Sequence, residues 1–219
     1  MKLVWSPETS AKAYIDTIKA CKLISGSGEA ELISAMAGGW NPKLIAEAWS
    51  HGSSITTSIG LAIAANHLGA RHVCIVPDDQ SRLAYIAAMQ SKGTAEYLPE
   101  IVVGKAEEVV EELTGIEFLV VDGQRKEFCR VVRASKLSHR GAVLVCRNCS
   151  VCNMAGFRWS RVLNNATRVV RSLILPVGKG LDIAYVSSNG GNNKKAQSRW
   201  IVHMDRQSGE EHVFRGLMD

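Results

Sequence analysis

The feature that most constrains this chain is a regular alternation of short apolar runs with longer helical patterns through its middle. The runs are Lys43–Trp49, Arg71–Val76, Glu100–Val103, Glu117–Val121 and Gly141–Cys146. Between them lie Ser54–Leu68, Ser81–Ser91, Ala106–Leu113 and Lys126–Leu137, each with helical spacing. Apolar runs of four to seven residues that lack polar alternation suit strands covered on both faces. A helix between every two such runs supplies the long crossover that parallel strands require. The pattern therefore predicts an α/β fold with a mostly parallel sheet and helices on both faces.

The flanks read differently. Ser6-Pro7-Glu8 is a helix start: a hydroxyl cap, proline at the first helical position and an acid in the first turn. That helix runs to about Cys21, and a second covers Glu29–Ala37 before Gly38-Gly39 ends it. After the core, Val169–Leu175 and Leu181–Val186 are apolar runs joined by Pro176-Val177-Gly178-Lys179-Gly180, an antiparallel pair. Ser187–Ser198 reads as a loop and Arg199–Met204 as an edge strand. The expected organisation is one domain over 1–219: N-terminal helices to 40, an α/β core over 41–148, and a hairpin with a basic tail over 149–219. A chain of 219 residues is enough for one sizeable core.

Charge is divided unevenly. Residues 1–120 hold 9 Lys and Arg against 14 Asp and Glu, whereas residues 121–219 hold 17 against 7. A basic half can meet nucleic acid or phosphate, or can be a solvated face balancing the acidic half. The arginines at 158, 161, 168 and 171 would form spaced pairs on a helix and are candidates for either role. No run approaches the ~20 apolar residues of a membrane span, so no membrane partner is expected. The N-terminus lacks a signal pattern, and the expected location is cytoplasmic or nuclear. The six cysteines are then read as thiols. Cys146, Cys149 and Cys152 form C-x-x-C-x-x-C, but a thiolate site normally takes four ligands and no suitably spaced fourth cysteine follows.

In open parallel sheets, ligands bind beyond the carboxyl ends of the strands. Polar residues mark four such ends here: Glu47 with Ser50, His51 and Gly52; Asp78 and Asp79; Asp122; and Arg147 with Asn148. An acid after the second strand can accept from ribose hydroxyls, or can simply cap the next helix. The turn after the first strand and the helix that follows can face an anion. Among the six histidines, His51 alone sits at such an end, where it can serve as a general base; Asp122 is the other catalytic candidate.

These residues, in this order, resemble the class I S-adenosylmethionine-dependent methyltransferases, and most closely the caffeoyl-coenzyme A O-methyltransferase family. The resemblance spans about Ser6 to Val186. It rests on Ser6-Pro7-Glu8, on Glu47, on Asp78 or Asp79, on Gly104-Lys105-Ala106 beside an expected adenine, on Phe118–Phe128 (FLVVDGQRKEF), and on Leu175–Gly180 (LPVGKG). The whole chain, including Arg199–Arg215, also looks like an uncharacterised plant family, domain of unknown function 1442. The resemblance implies a Rossmann-like, seven-stranded sheet with an antiparallel C-terminal hairpin. It implies S-adenosylmethionine as cofactor, held by Glu47, Ser50, Gly52, Ser53, Asp78, Asp79, Gly104, Ala106 and Asp122.

Departures from the family pattern fall on the chemistry. Trp49 and Ser53 stand where the first turn carries glycines, and a side chain in a positive-φ turn costs on the order of 1 kcal/mol. The Trp49 indole can fill the methionine pocket or pack as core. Lys105 replaces an acceptor near the adenine with a donor. Asp122 and Asn148 match two metal ligands of the family, but Arg147 replaces the third and Gln124 replaces a nearby acid. Fixed positive charge there argues against a metal, and Arg147 is placed to pair with Asp122. Two functions follow. One is a metal-independent methyltransferase acting on a small molecule or nucleic acid. The other is a binding or regulatory protein on the same scaffold, with an anionic partner. A homodimer is among the assemblies open to either.

Overall fold

The computed structural model describes residues 5–21, 28–149, 157–163 and 167–188, and the backbone of 199–204 and 211–216. Two helices open the chain, α1 (Pro7–Cys21) and α2 (Glu29–Trp40). The core follows as β1 (Leu44–Ala48), α3 (Thr56–Leu68), β2 (Arg71–Val76), α4 (Asp79–Ser91), β3 (Glu100–Val103) and α5 (Ala106–Glu112). It continues through β4 (Thr114–Ile116), β5 (Phe118–Asp122), α6 (Phe128–Ala134), β6 (Lys136–Leu137), β7 (Ala142–Arg147), α7 (Trp159–Val162), β8 (Thr167–Leu175) and β9 (Leu181–Ser188).

One seven-stranded sheet carries the fold, in the order β3-β2-β1-β5-β7-β9-β8. The first five strands of that order are mutually parallel, and β9 runs against both of its neighbours. The expected parallel α/β sheet with an antiparallel C-terminal hairpin is therefore present. The chain builds outward from β1 to β3, then returns to place β5 on the other side of β1. The loops leaving β1 and β5 must diverge there, which opens a crevice at their carboxyl ends.

Alternation along the strands sends side chains to both helical layers. Leu44, Ala46, Val73, Ile75, Leu119, Val121 and Leu144 pack against Val110 of α5, Val131 and Val132 of α6, and Trp159. On the opposite face Ile45, Phe118, Val120, Val143 and Val145 pack against Ala13, Ile33, Met36, Leu61 and Ala64 of the first three helices. That second layer is tight because its contact residues are small. A Cβ added at Gly60 in α3 would lie 2.8 Å from the Ala30 carbonyl oxygen in α2. Within the α1–α2 contact, the Thr17 hydroxyl donates to the Ala13 carbonyl at 2.7 Å and to Ser34 Oγ at 2.9 Å.

Three differences from the sequence reading have local causes. Lys126–Leu137 is not one helix: α6 ends at Ala134, and Lys136–Leu137 pairs in parallel with Thr114–Ile116 as a separate two-stranded ribbon. Arg168 and Arg171 lie on β8 rather than a helix, so they do not form the i,i+3 helical pair expected of them. Arg199–Met204, read as an edge strand, pairs instead with β11 (Glu211–Gly216) as its own antiparallel sheet. The short connection between β10 (Arg199–Met204) and β11 makes that local pairing entropically cheap. The chain divides into a unit of Met1–Asn189 and a unit of Gly190–Asp219 that holds this second sheet. Most of Ser187–Ser198 and Cys152 lie outside the described residues. No helix among the described residues is long and apolar enough to cross a membrane.

Overpacking at the α2–α3 contact gives a test. Gly60→Val should destabilise the protein by about 2–3 kcal/mol, since a backbone carbonyl cannot yield as a side chain can. Urea denaturation followed by circular dichroism measures it.

Candidate functional site

The turn after β1 is built by its hydrogen bonds. The Trp49 amide donates to the Ile75 carbonyl at 2.9 Å and so extends the β1–β2 ladder by one residue. The Ser53 amide then donates to the Ser50 carbonyl at 2.9 Å, closing a four-residue turn. Its third residue, Gly52, has φ of 85°. A side chain there would be strained, which explains the glycine. This corrects the expectation of strain at Trp49 and Ser53. Among the described residues the only non-glycines at positive φ are Asn41 and Asn148, so the left-handed position has moved to Gly52.

Trp49 is only 6% exposed and packs among Ile59, Cys74, Tyr85 and Met89. Its ring meets Tyr85 edge to face at 5.2 Å. The indole nitrogen is buried with no acceptor among the described residues. A tryptophan in this turn is thus a core residue that also borders the crevice.

Glu47 faces into the α3–α4 layer rather than the crevice. It accepts from Ser58 Oγ at 2.9 Å and from the Tyr85 hydroxyl at 3.1 Å. His72 Nε2 lies 3.2 Å from Oε1, the oxygen that accepts from Tyr85. Burial pushes this carboxyl up, but His72, Ser58 and Tyr85 together outweigh it and hold it below the ordinary value of 4.5. Burial, then the Glu47 charge, pushes the neighbouring Cys74 thiol and Tyr85 hydroxyl well up. Both therefore stay protonated, and Tyr85 remains a donor to Glu47. Glu47 is a fastening between the sheet and two helices.

Asp78 caps α4, accepting from the Ser81 amide at 2.6 Å. That hydrogen bond, and more weakly the nearby His51, holds its carboxyl below the usual range. Asp79 is exposed and pairs with Arg82 at 3.1 Å. Of the Gly104-Lys105-Ala106 turn, the Gly104 amide donates to the Val76 carbonyl at 2.9 Å, and Lys105 reaches forward to Glu108 at 2.8 Å. Asp122 Oδ1 accepts from the Gln124 amide at 3.0 Å.

Arg147 does not pair with Asp122, contrary to the sequence reading. Its Nε donates to Glu29 at the first position of α2. Both groups are about nine-tenths buried. The register explains the choice. Asp122 and Arg147 are neighbours on adjacent strands, where Asp122 turns back onto its own loop amide. Glu29 arrives from a helix whose positive N-terminal end favours an acid.

Two cavities flank the β1 turn. The first, about 270 Å³, lies between Ala48–Ser50, Pro77, Gly104–Ala106, Asp122 and Phe128. The second, about 830 Å³, lies beyond His51–Ser54 and is closed by Asp122, Arg147, Asn148, Gly178 and Lys179. Asp122 and Arg125 line both. The structure therefore gathers Ser50, Gly104, Ala106 and Asp122 around the first cavity, and His51, Gly52, Ser53 and Asp122 around the second. Glu47, Asp78 and Asp79 line neither. Sequence reading missed Arg125, Phe128 and Glu29, although the first two fall within the FLVVDGQRKEF stretch it had singled out. Lys179 stood in the hairpin motif without an assigned role.

Residues 1–216 match the family described as Protein of unknown function (DUF1442). No curated protein matches the sequence. The fold is similar to that of solved methyltransferases. One from Podospora anserina, bound to SAH, has a TM-score of 0.57 and 14% identity, with 84% of this chain and 89% of that one covered. An O-methyltransferase of tomaymycin synthesis from Streptomyces achromogenes, in complex with SAM, has a TM-score of 0.55 and 18% identity over 81% and 90%. A Staphylococcus aureus protein assigned as a caffeoyl-CoA O-methyltransferase has a TM-score of 0.53 and 14% identity over 78% and 91%. At these identities the likeness establishes a Rossmann-like methyltransferase fold.

Two charge arrangements make checkable predictions. Glu47→Gln should destabilise by roughly 2–3 kcal/mol at neutral pH, because a weaker acceptor faces three buried partners. A carboxyl depressed on folding stabilises above its unfolded pKa and loses that contribution as pH falls through the folded one. The gap between wild type and variant should therefore shrink below pH 4.5, measured by denaturant titration across pH. Arg147→Met should cost about 3–5 kcal/mol by leaving Glu29 buried and unpaired, and adding Glu29→Leu should recover a large part of it.

Proposed function

We propose that this chain, which belongs to the family Protein of unknown function (DUF1442), is an S-adenosylmethionine-dependent methyltransferase that works without a metal ion. The observation that carries this reading is the pair of cavities at the β1–β5 crevice, meeting at Asp122 and Arg125. One is suited to a nucleoside and the other to an acceptor. Structural neighbours crystallised with SAM or SAH support the choice of cofactor.

The residues present fit such a cofactor in part. Gly52 leaves open space above the turn, where an added Cβ would meet nothing within 4 Å. Trp49 lines the first cavity, and its buried indole nitrogen has no acceptor among the described residues. Ala48–Ser50, Pro77, Gly104, Ala106 and Phe128 would hold the nucleoside end, and Gly52 and Ser53 the amino-acid end. Bound there, the cofactor would supply an electrophilic methyl group. This chain's part is to exclude water and to position an acceptor. Asp122 borders both cavities and is the residue placed to take the acceptor's proton, with His51 the alternative. Donor chemistry supports metal independence: Arg147 stands where the resembling family has an acidic ligand, and its guanidinium, held by Glu29, offers no lone pair to a cation.

A second reading, a binding protein on this scaffold, draws on the groups already engaged elsewhere: Glu47 in its buried network, Asp78 in its cap and Lys105 on Glu108. Titration calorimetry separates the two. The enzyme reading expects S-adenosylmethionine to bind with Kd of roughly 10 μM. Folded protein that gives no heat up to about 1 mM cofactor overturns it in favour of the binding protein.

A further inference from the structure

We propose that the second cavity takes a small hydrophilic acceptor bearing an oxyanion, a carboxylate or a phosphate, which Arg125 and Lys179 recognise. The inference rests on the methyltransferase reading of this site and names its substrate class.

The first argument is the wall. At about 830 Å³ the cavity is roomy enough for a metabolite, yet among the described residues no Phe, Tyr, Trp, Val, Leu, Ile or Met lines it. Cys21 and Ala30 are the only apolar side chains that line it among the described residues. A flat aromatic acceptor would strip water from hydroxyls, amides and charges and return no hydrogen bonds, at roughly 1–3 kcal/mol for each unsatisfied group. A hydrophilic acceptor replaces that water group for group.

The second argument is which charges remain open. The Arg147 charge is taken up by Glu29. Arg125 and Lys179 have no ion-pair partner among the described residues, and they come from separate elements, the loop after β5 and the turn between β8 and β9. An arginine fork and a lysine ammonium on different walls match the several oxygens of a carboxylate or phosphate. Carboxylates are present too: Glu29, held by Arg147, and Asp122 and Glu31. One oxygen of Asp122 holds the Gln124 amide, and the other is left to receive a donor. The matching ligand has an anionic group at one end and a hydroxyl or amine at the other. The hydroxyl or amine belongs beside Asp122, the residue shared with the first cavity.

Inorganic phosphate and acetate serve as separate probes of the two anion sources. Each is titrated into the full-length chain at constant ionic strength, with and without saturating S-adenosylmethionine, and followed by calorimetry. One of the two should bind with Kd of roughly 1–10 mM. Arg125→Gln and Lys179→Gln should each weaken it at least about fivefold, with melting temperatures unchanged, whereas Lys12→Gln on exposed α1 should have no effect. Preference for phosphate or acetate identifies the source. If S-adenosylmethionine binds and neither anion does, or if both variants bind as wild type, the acceptor assignment falls alone. If an anion binds and S-adenosylmethionine does not, the methyltransferase reading falls and takes the acceptor assignment with it.

Discussion

Strand β1 is hydrogen-bonded in parallel on both sides, by β2 and by β5, and the remaining architecture follows from that. A strand paired on both edges and covered on both faces must be apolar along almost its whole length. Its exit is then the first place where the backbone can turn toward solvent. Because the two neighbours connect in opposite directions, their loops diverge from that exit. The crevice is a consequence of strand order, and the Ser50–Ser53 turn borders it.

The one acid within β1 shows how such a strand tolerates charge. Glu47 points into the α3–α4 layer, where burial alone would drive its proton on. Two hydroxyl donors and a histidine reverse that balance. In doing so they tie β1, β2, α3 and α4 together through a single carboxylate. The Glu29–Arg147 pair does the same for α2 and the end of β7. Both are paired groups in which the partners come from different elements, so removing one side leaves the other stranded.

These fastenings also shape the chemistry. With Arg147 paired to Glu29 and Glu47 turned inward, the charged groups that line the second cavity without an ion-pair partner among the described residues include Asp122, Arg125 and Lys179. The Arg147–Glu29 pair instead fixes the N-terminal end of α2 against the end of β7, at the wall of the second cavity.

The apolar periodicity of the sequence determined the sheet. Runs such as Arg71–Val76 and Phe118–Val121 lie within β2 and β5, because a short run without polar alternation suits an inner strand covered on both faces; Glu100–Val103 coincides with β3, which the fold places at the sheet edge. The first three crossover helices were legible for the same reason, whereas the left-handed Gly52 of the β1 turn was not: the sequence reading puts the strain at Trp49 and Ser53. What the tertiary structure decided is which polar groups meet. Glu47 shares a strand face with Ile45, and that much alternation implies, but Ser58, His72 and Tyr85 reach it from three other elements. Arg147 found Glu29, 118 positions distant, in place of Asp122 on the adjacent strand. Local patterning sets where a backbone can run, whereas a charge is settled by whichever partner the packed layers bring within reach.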